Sequence, residues 1–487
     1  MTERIMTAFS AVIAVLNDWM YSYVLIILLL AAGIYFTLRS RFAQLCLLGE
    51  SIRVVGEKTG DKRAVSAFEA LMVSTASRVG TGNIVGVANA IAIGGYGSVF
   101  WMWLIAIFGA ATAFVESTLA QIYKKKDAQG GSYGGPSYYI ETALGCRPLG
   151  IVFAIALIAT YAGGFNMLAS FNLIDSLSNY GFYEAMTIPA SGGEIHLVPL
   201  IGGALLAVLV AVCVMGNGKR LVKITGVLVP VMGVLYILMA LIVMVLHIRM
   251  LPGVIVQIFR SAFDWKAIFG GAAGFGSSAV MQGIKRGLYS NEAGVGSAPN
   301  AAAAAQVSHP AKQGMVQMLS VFIDTILVCT ATAMMCLCTG IVPSENLKGA
   351  PFVQESLAVT FGAAGPYFIS AALLMFAFTT LLGNLFYCEG CLNYIAGRHV
   401  SRRAMNCFRG AACVVVFLGA QMKFGLVWDL ADVLMGIMTL INLPVILRLS
   451  GTAMKALADY QKQRREGRDP VFQAADIGVK EKTDFWN

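Results

Sequence analysis

The sequence predicts an all-α integral membrane protein with eleven transmembrane helices: one leading helix and two inverted repeats of five. Of its 487 residues, 57% are hydrophobic and 13% are charged, against roughly 25% charged in soluble proteins. Eleven apolar runs are long enough to cross a hydrocarbon core. Two of these runs are interrupted by glycine at corresponding places in the two halves, which is typical of an inverted-repeat secondary transporter.

Short polar loops separate the apolar runs. The runs cover approximately 18–38, 66–93, 98–123, 149–175, 197–214, 221–247, 266–300, 313–340, 364–396, 404–420 and 425–448. An odd number of helices in each half requires the halves to be inverted. The predicted units are a leading helix in 1–38, an amphipathic interfacial connector in 39–64, a first repeat in 65–248, a second in 249–450 and a tail in 451–487.

The connector and the loops predict how the chain sits in the membrane. Apolar residues recur at helical spacing among the charges of the connector, which is typical of a helix lying on the membrane; a solvated loop is the alternative. These residues are Phe42, Leu45, Leu48, Ile52 and Val55. Lys and Arg concentrate in loops on one side, so we expect the N-terminus outside and the tail, a solvated extension, in the cytoplasm.

Composition argues against several other classes of protein. The net charge of +9 is spread over short loops without a basic patch interleaved with aromatic residues, so we expect no nucleic-acid partner. With four His and one CxxC, Cys388 to Cys391, the ten cysteines are interpreted as small core residues rather than zinc or redox sites. No carboxylate pair, metal cluster or nucleophile–base pair lies near the glycine interruptions, so we expect no enzyme.

The first interruption lies between Ala76 and Gly86. Gly80-Thr-Gly82 is similar to part of a dinucleotide loop, but that fingerprint needs a βαβ unit, which this chain lacks. Backbone exposed at membrane depth costs several kcal/mol per unsatisfied group, so we expect the segment to line a cavity. The N–H groups at Gly82 and Asn83 would start a half-helix and suit a carboxylate.

The second interruption is predicted at Gly270 to Ser278, in the seventh run. Small residues also serve close helix packing, so one interruption alone leaves both interpretations open, and the matched pair favours a binding site. Two adjacent hydroxyls in the ninth run, Thr379 and Thr380, are candidate ligands of a cation, with carbonyls near the first interruption as partners. The alternative is that these hydroxyls bond their own helix.

Ionisable side chains within apolar runs are further candidates for function. These are Glu116, Asp324 and Glu389. We expect Arg78 to pair with a carboxylate such as Glu116, and Lys285 or Arg286 to pair with Glu292. Structural ion pairs are the favoured interpretation, and a carboxylate that titrates during transport would instead make the protein proton-driven.

Four stretches resemble the bacterial and archaeal alanine or glycine:cation (sodium) symporter family. They are GTGNIVG at 80–86, GGYGSVFWMWLIAIFG at 94–109, KRGLYSNEAGVGSAPNAAA at 285–303 and FTTLLG at 378–383. The resemblance covers about residues 18–470. It implies a leucine-transporter-type 5+5 inverted repeat in a plasma membrane, sodium-driven symport of small neutral amino acids by alternating access, and no cofactor besides sodium as the coupling ion.

The resemblance also implies where the substrate and the ion bind. The implied substrate contacts are Thr81, Gly82, Asn83, Phe165, Phe275, Gly276, Ser277 and Asn384. The implied sodium ligands are Ser77, Gly80, Thr379 and Thr380. Asn384 replaces a Trp found in many relatives that take alanine, which leaves alanine, glycine, serine and glutamine as candidate substrates. Proton coupling in the same fold, and an amino-acid-gated channel or sensor, are the alternatives.

Overall fold

The structure, a computed structural model, describes residues 2–57, 64–126, 131–190, 193–215, 218–265, 278–344 and 347–486. The α-helices are Thr2–Trp19, Ile26–Arg39, Ala43–Cys46, Leu48–Val55, Ala67–Arg78, Val85–Gly94, Gly97–Ile122, Pro136–Leu144, Arg147–Ile158, Asn166–Asp175, Gly181–Ala185, Leu197–Val214, Gly218–Leu246, Leu251–Ala262, Ala279–Asn291, Ala298–Ala304, Pro310–Val321, Thr330–Leu337, Gly349–Phe361, Ala364–Ala396, Arg402–Gly419 and Phe424–Arg465.

Among the described residues, the other elements are few and short. Three π-helical segments there continue α-helices without a break, Met20–Leu25, Ala159–Phe165 and Phe322–Cys329, and two 3-10 turns cover Thr81–Asn83 and Ala474–Ile477. Two antiparallel hairpins pair Lys125–Lys126 with Ser132–Tyr133 and Thr187–Ala190 with Gly193–His196.

Apolar helices form a multi-pass membrane bundle. Among the described residues, eight helices are long and apolar enough to cross a membrane. Ala364–Ala396 and Leu197–Val214 coincide with predicted runs. Two other predicted runs are divided into short halves, and the count of eleven spans stays a prediction.

The first broken helix consists of Ala67–Arg78 and Val85–Gly94, joined through the turn at Thr81–Asn83. It starts with a capping box, in which the Ser66 hydroxyl accepts from the Glu69 N–H and the Glu69 carboxylate accepts from the Ser66 N–H. All residues from Ser74 to Ile91 are buried. The predicted interruption is therefore present at the predicted place, within the core of the bundle.

The second broken helix consists of Ala279–Asn291 and Ala298–Ala304. Between them, Glu292, Gly294 and Gly296 have φ values of 52°, 86° and 92°, a left-handed conformation that an α-helix cannot continue through. This break was not predicted, and the interruption predicted at Gly270 to Ser278 stays a prediction. Residues 266–277, including Phe275, Gly276 and Ser277, lie outside the described residues, and the Ser278 hydroxyl caps the helix by accepting from the Met281 N–H.

The two ends of the bundle are distinct. We call one end, which holds Val65, Lys124 and Ala305, the basic end. There the Gln306 N–H donates to the Val65 carbonyl at 2.9 Å, and Lys124 Nζ donates to the Ala305 carbonyl at 2.8 Å. At the opposite end, Trp101 Nε1 donates to the Ala262 carbonyl at 3.2 Å. Each broken helix therefore runs from one end of the bundle to the other, and both breaks lie between the two ends.

The tail is folded onto the basic end, so the prediction of a solvated extension is wrong. Phe472, Ile477 and Trp486 are buried. Trp486 Nε1 donates to the Gln121 carbonyl at 2.7 Å, and the Phe472 N–H donates to the Ser308 carbonyl at 3.0 Å. Burial of these apolar side chains favours the folded tail because it removes apolar surface from water.

The connector forms two short helices, Ala43–Cys46 and Leu48–Val55. Its predicted apolar stripe is partly free of protein contact, since Phe42, Leu45 and Ile52 are exposed by 47%, 54% and 60%. Residues on the other face are buried, among them Gln44, Ser51 and Val54. An apolar stripe that is exposed while the other face packs on the protein is the arrangement expected of a helix at a membrane surface.

Candidate functional site

A small cavity lies where the two breaks meet. Six of the predicted site residues line it: Ser77, Gly80, Thr81, Gly82, Phe165 and Thr380. Three residues that were not predicted as ligands complete the lining, namely Arg78, Tyr289 and Glu292. The cavity has a volume of about 10 Å³, which is room for a single water molecule. An amino acid would need the cavity to widen.

Two glycines of the first break let neighbouring side chains approach its backbone. A Cβ atom at Gly82 would lie 2.1 Å from Cε1 of Tyr289, and a Cβ atom at Gly80 would lie 2.3 Å from Oγ1 of Thr380. Both separations are shorter than the non-bonded distances that real Cβ atoms show. Tyr289, on the second broken helix, and Thr380, on Ala364–Ala396, are therefore held against the break because positions 80 and 82 lack side chains.

Asn83 ties the two breaks together. Its Nδ2 donates to Oδ1 of Asp324 at 2.7 Å and to Oγ of Ser290 at 3.1 Å, and its Oδ1 accepts from the Gly80 N–H at 2.9 Å. The Thr332 hydroxyl donates to the Asn83 carbonyl at 2.7 Å. The side chain of this predicted substrate ligand thus fixes the turn and is already occupied by partners within the protein.

The fourth apolar run supplies polar partners that the sequence analysis missed. Asn172 Nδ2 donates to Oγ1 of Thr81 at 3.0 Å. Asn384 accepts from the Ser77 hydroxyl at 2.7 Å, and its Nδ2 donates to Oδ1 of Asn166 at 3.0 Å. The available signal was a pair of asparagines in an otherwise apolar run. Asn384 is fully buried behind Ser77, and it is not among the residues that line the small cavity.

The two predicted threonine ligands differ. The Thr379 hydroxyl donates to the carbonyls of Met375 and Phe376 at 3.0 and 3.1 Å, within its own helix. The Thr380 hydroxyl is buried, lines the cavity and has no hydrogen-bond partner among the described residues. Of the two, Thr380 therefore has the oxygen that is free for a ligand.

Three buried carboxylates lie at the two breaks, and one of them, Glu292, lines the cavity. Glu116 accepts from the Gly294 N–H at 3.3 Å and from Asn442 Nδ2 at 3.0 Å, and Glu292 accepts from the Ser297 hydroxyl at 2.6 Å. The third, Asp324, accepts from Asn83, as described above. Glu116 thus stabilises the second break through a backbone N–H.

One buried cation, Arg78, lies among these carboxylates, and its charge acts on Glu116, Glu292 and Asp324. Its Nη1 donates to the side chain and carbonyl of Gln317 at 3.5 Å, and in the described part of the chain no salt bridge joins it to Glu116, contrary to the prediction. With all three carboxylates ionised, the four groups carry a net charge of −2, which attracts cations.

The predicted pairing of Lys285 or Arg286 with Glu292 is wrong. Lys285 Nζ and Arg286 Nη2 both lie 3.0 Å from Oδ2 of Asp432. The Arg286 guanidinium also lies 4.3 Å from the ring centroid of Trp428. Both cations face Phe424–Arg465, whereas Glu292 follows the end of their helix and turns towards the cavity. Asp432 was missed because it lies 146 residues away along the chain.

The remaining candidates are structural in this arrangement. Glu389 accepts from Arg409 at 2.6 Å. Ten cysteines are free thiols, of which Cys329, Cys336, Cys338, Cys388 and Cys391 are buried. Within the described ranges, no group of three or more His, Cys, Asp and Glu residues is arranged to hold a metal ion.

Comparisons with known proteins find similarity over nearly the whole chain. A model of the sodium:alanine symporter family matches residues 6–474. The amino-acid carrier protein AlsT of Bacillus subtilis (strain 168) is 42% identical over 98% of each chain. The sodium/alanine symporter AgcS of Methanococcus maripaludis is 35% identical over 94% of this chain and 98% of that protein.

A solved structure shares the fold. The crystal structure of MhsT in complex with L-phenylalanine aligns with a TM-score of 0.53 at 15% identity, covering 88% of this chain and 94% of that one. At this identity the likeness concerns the fold alone, which is the leucine-transporter type.

Proposed function

The chain belongs to the sodium:alanine symporter family, and on that premise we propose that it is a sodium-coupled symporter of small neutral amino acids. The basic end would face the cytoplasm of a bacterial or archaeal cell, with the N-terminus outside. Transport would proceed by alternating access around the cavity between the two broken helices.

The meeting of two broken helices at one buried cavity carries this proposal. The N–H groups of Thr81 and Gly82 begin a 3-10 turn, and the first N–H groups of such a turn have no partner within it. They suit the carboxylate of an amino acid. Glu292 lines the same cavity and supplies the opposite charge for the ammonium group.

Sodium would bind between the first break and Ala364–Ala396. Thr380 offers an unpartnered hydroxyl beside Gly80, and the carbonyls of Ser77 and Gly80 supply the oxygen ligands that a hard cation prefers. Thr379 would join only after leaving its bonds to Met375 and Phe376. The surplus of buried carboxylates over cations favours a positive ion here.

Proton coupling is the second candidate, and the same surplus of carboxylates favours it. Glu116, Glu292 and Asp324 are fully buried beside one arginine. If one of them accepted a proton in one conformation and released it in the other, it would couple transport to a pH gradient.

Uptake into proteoliposomes distinguishes these functions. Labelled alanine, glycine, serine and glutamine are supplied with either a sodium gradient or a pH gradient. We expect accumulation with sodium, since one charge moved across 100 mV supplies about 2.3 kcal/mol and about fifty-fold accumulation. Accumulation that persists without sodium and collapses with the pH gradient would establish proton coupling. Equilibration without accumulation under either gradient would contradict both.

A further inference from the structure

A recess at the basic end of the bundle lies between the leading helix and the last helix. It has a volume of about 550 Å³. Arg39 and Arg41 line it from the end of the leading helix and the start of the connector, and Phe424–Arg465 supplies most of the other side. The ring of His309 packs against that of Tyr460 on the last helix, at 5.1 Å between centroids, which places the recess at the basic end.

Positive charge dominates this recess. Four cationic side chains line it, and all four are exposed: Arg39, Arg41, Lys462 and Arg465. Within the described part of the chain, none of them forms a salt bridge. The one carboxylate of the described lining, Glu466, pairs with Arg468, which lies outside it. Four positive charges and one negative charge leave +3, so an anion in the recess would relieve the repulsion among its cations.

Other basic residues at the same end have carboxylate partners. Arg464 and Arg53 bind Glu50 at 3.0 and 2.8 Å, and Lys312 binds Glu57 at 2.8 Å. These pairs join the connector to the last helix and to the start of Pro310–Val321. The lack of protein counter-charges is therefore a property of the recess and not of the basic end as a whole.

The chain makes a strained turn where it enters the recess. Arg41 and Phe42 have φ values of 55° and 58°, a left-handed conformation that crowds the Cβ atom of any side chain. The Phe42 N–H closes the turn by donating to the Thr37 carbonyl at 2.9 Å. Arg41 lines the recess, whereas Phe42 lies outside its lining and is exposed. The turn thus directs a cation and an apolar ring to different places, and strain of this kind is concentrated at ligand sites.

Apolar surface adjoins the recess on its membrane side. Ile34 and Leu38 lie one turn apart on the leading helix, just before Arg39, and are 43% and 60% exposed. A ligand in the recess would therefore meet cations at one end and apolar side chains at the other. A soluble anion uses only the cations, whereas an anionic phospholipid carries both a phosphate and acyl chains.

We propose that the recess binds the headgroup phosphate of an anionic phospholipid. The four cations would surround the phosphate, with each guanidinium able to donate two parallel hydrogen bonds. The acyl chains would lie along Ile34 and Leu38. One lipid would thus bridge the leading helix and the last helix, which already meet where Arg39 Nη1 donates to Oγ of Ser450 at 3.4 Å. This site does not depend on the proposed function.

Native mass spectrometry of the delipidated full chain in detergent tests the lipid site. The probes are dioleoyl phosphatidylglycerol, which is anionic, and dioleoyl phosphatidylcholine, which has the same chains and no net charge. We expect phosphatidylglycerol to bind at lower concentrations than phosphatidylcholine. Combining Arg41→Gln with Lys462→Gln should weaken phosphatidylglycerol binding about tenfold or more, because it removes two of the four cations.

Arg402→Gln combined with Arg403→Gln is the matched control, because it loses the same charge at two exposed arginines outside the recess. It should bind phosphatidylglycerol as the unmodified chain does, and size-exclusion profiles establish that all variants are folded. Glycerol phosphate carries the phosphate without acyl chains, and it should not displace the bound lipid.

Four results would each overturn the lipid site. They are equal binding of the two lipids, unchanged binding in the recess variant, equal weakening in both double variants, and displacement of the lipid by glycerol phosphate, which would assign the recess to a soluble anion. The measurement records lipid binding and not uptake, so its failure would leave the proposed function intact, and loss of uptake would leave the lipid site intact.

Discussion

Two neighbouring threonine hydroxyls differ in what they offer to the proposed sodium ion. Thr379 and Thr380 are neighbours in sequence, yet one bonds its own helix and the other faces the cavity without a partner. Such a difference depends on which side of a helix meets the first break. The sequence therefore predicts the pair of threonines as candidates, whereas only the packing of Gly80 against Thr380 separates them.

Thr380→Ala should raise the sodium concentration for half-maximal uptake by about tenfold, because it removes one ligand worth about 1.5 kcal/mol, with a smaller change in maximal rate. Sodium-dependent uptake in proteoliposomes measures both quantities. Thr379→Ala is the control and should change the sodium dependence less. Unchanged sodium dependence in Thr380→Ala would contradict the ion site.

Glu116→Gln should keep transport if Glu116 acts only by accepting hydrogen bonds, and should lower stability by about 1 kcal/mol, because its amide oxygen can still accept from the Gly294 N–H while its NH2 group faces the Asn442 Nδ2 donor. Glu116→Ala should lower stability by about 1 to 3 kcal/mol, since a buried N–H is left without a partner. Thermal unfolding in detergent compares the variants. If Glu116→Gln instead abolished a pH dependence of uptake, Glu116 would be the proton carrier.

Whole helices were easier to predict than their breaks and partners. Ala364–Ala396 is an uninterrupted apolar run that ends at Gly397, whose φ of 63° terminates the helix, so its limits follow from local chemistry. The break predicted at Gly270 to Ser278 stays a prediction, and the structure shows a further break after Asn291 that two glycines and Glu292 form. Long-range partners, such as Asp432 for Arg286, leave no signal in local sequence.

The tail was mispredicted because its charges suggested a solvated segment, while a few apolar residues decide its position.

His309, just before Pro310–Val321, lies between this tail and the last helix. Its ring centroid is 5.0 Å from that of Phe472 and 5.1 Å from that of Tyr460. Its Nε2 lies 3.2 Å from Oδ2 of Asp459.

Burial lowers the pKa of His309 from 6.5 to about 4, against the opposing influence of Asp459, and the nearby charge of Lys312 lowers it further. The unfolded chain therefore takes up a proton at a higher pH than the folded chain. We expect stability to be fully present above about pH 6.5 and to fall as the pH drops towards 4. Thermal unfolding across this range should show a smaller fall for His309→Gln, and an equal fall in both proteins would contradict the assignment.

The molecule as a whole has a closure on each side of its central cavity. At one end, Arg286 and Asp432 join the second broken helix to Phe424–Arg465. At the basic end, the start of the first broken helix meets the end of the second, where Val65 forms a parallel bridge with Ala305. Alternating access requires the two closures to open in turn, so a permanent lock on either should stop transport.

A disulfide at the basic end tests this requirement. Val65→Cys and Ala305→Cys place two thiols on bridged backbone positions, whose spacing falls within the range a disulfide accepts. We expect oxidation of the double variant to abolish net uptake and a reducing agent to restore it, whereas substrate binding from the end opposite the basic end should survive. Each single-cysteine variant, treated in the same way, controls for the ten native thiols. Full uptake by the cross-linked protein would mean that the substrate does not leave between the two broken helices, and the alternating-access scheme would fail for this chain.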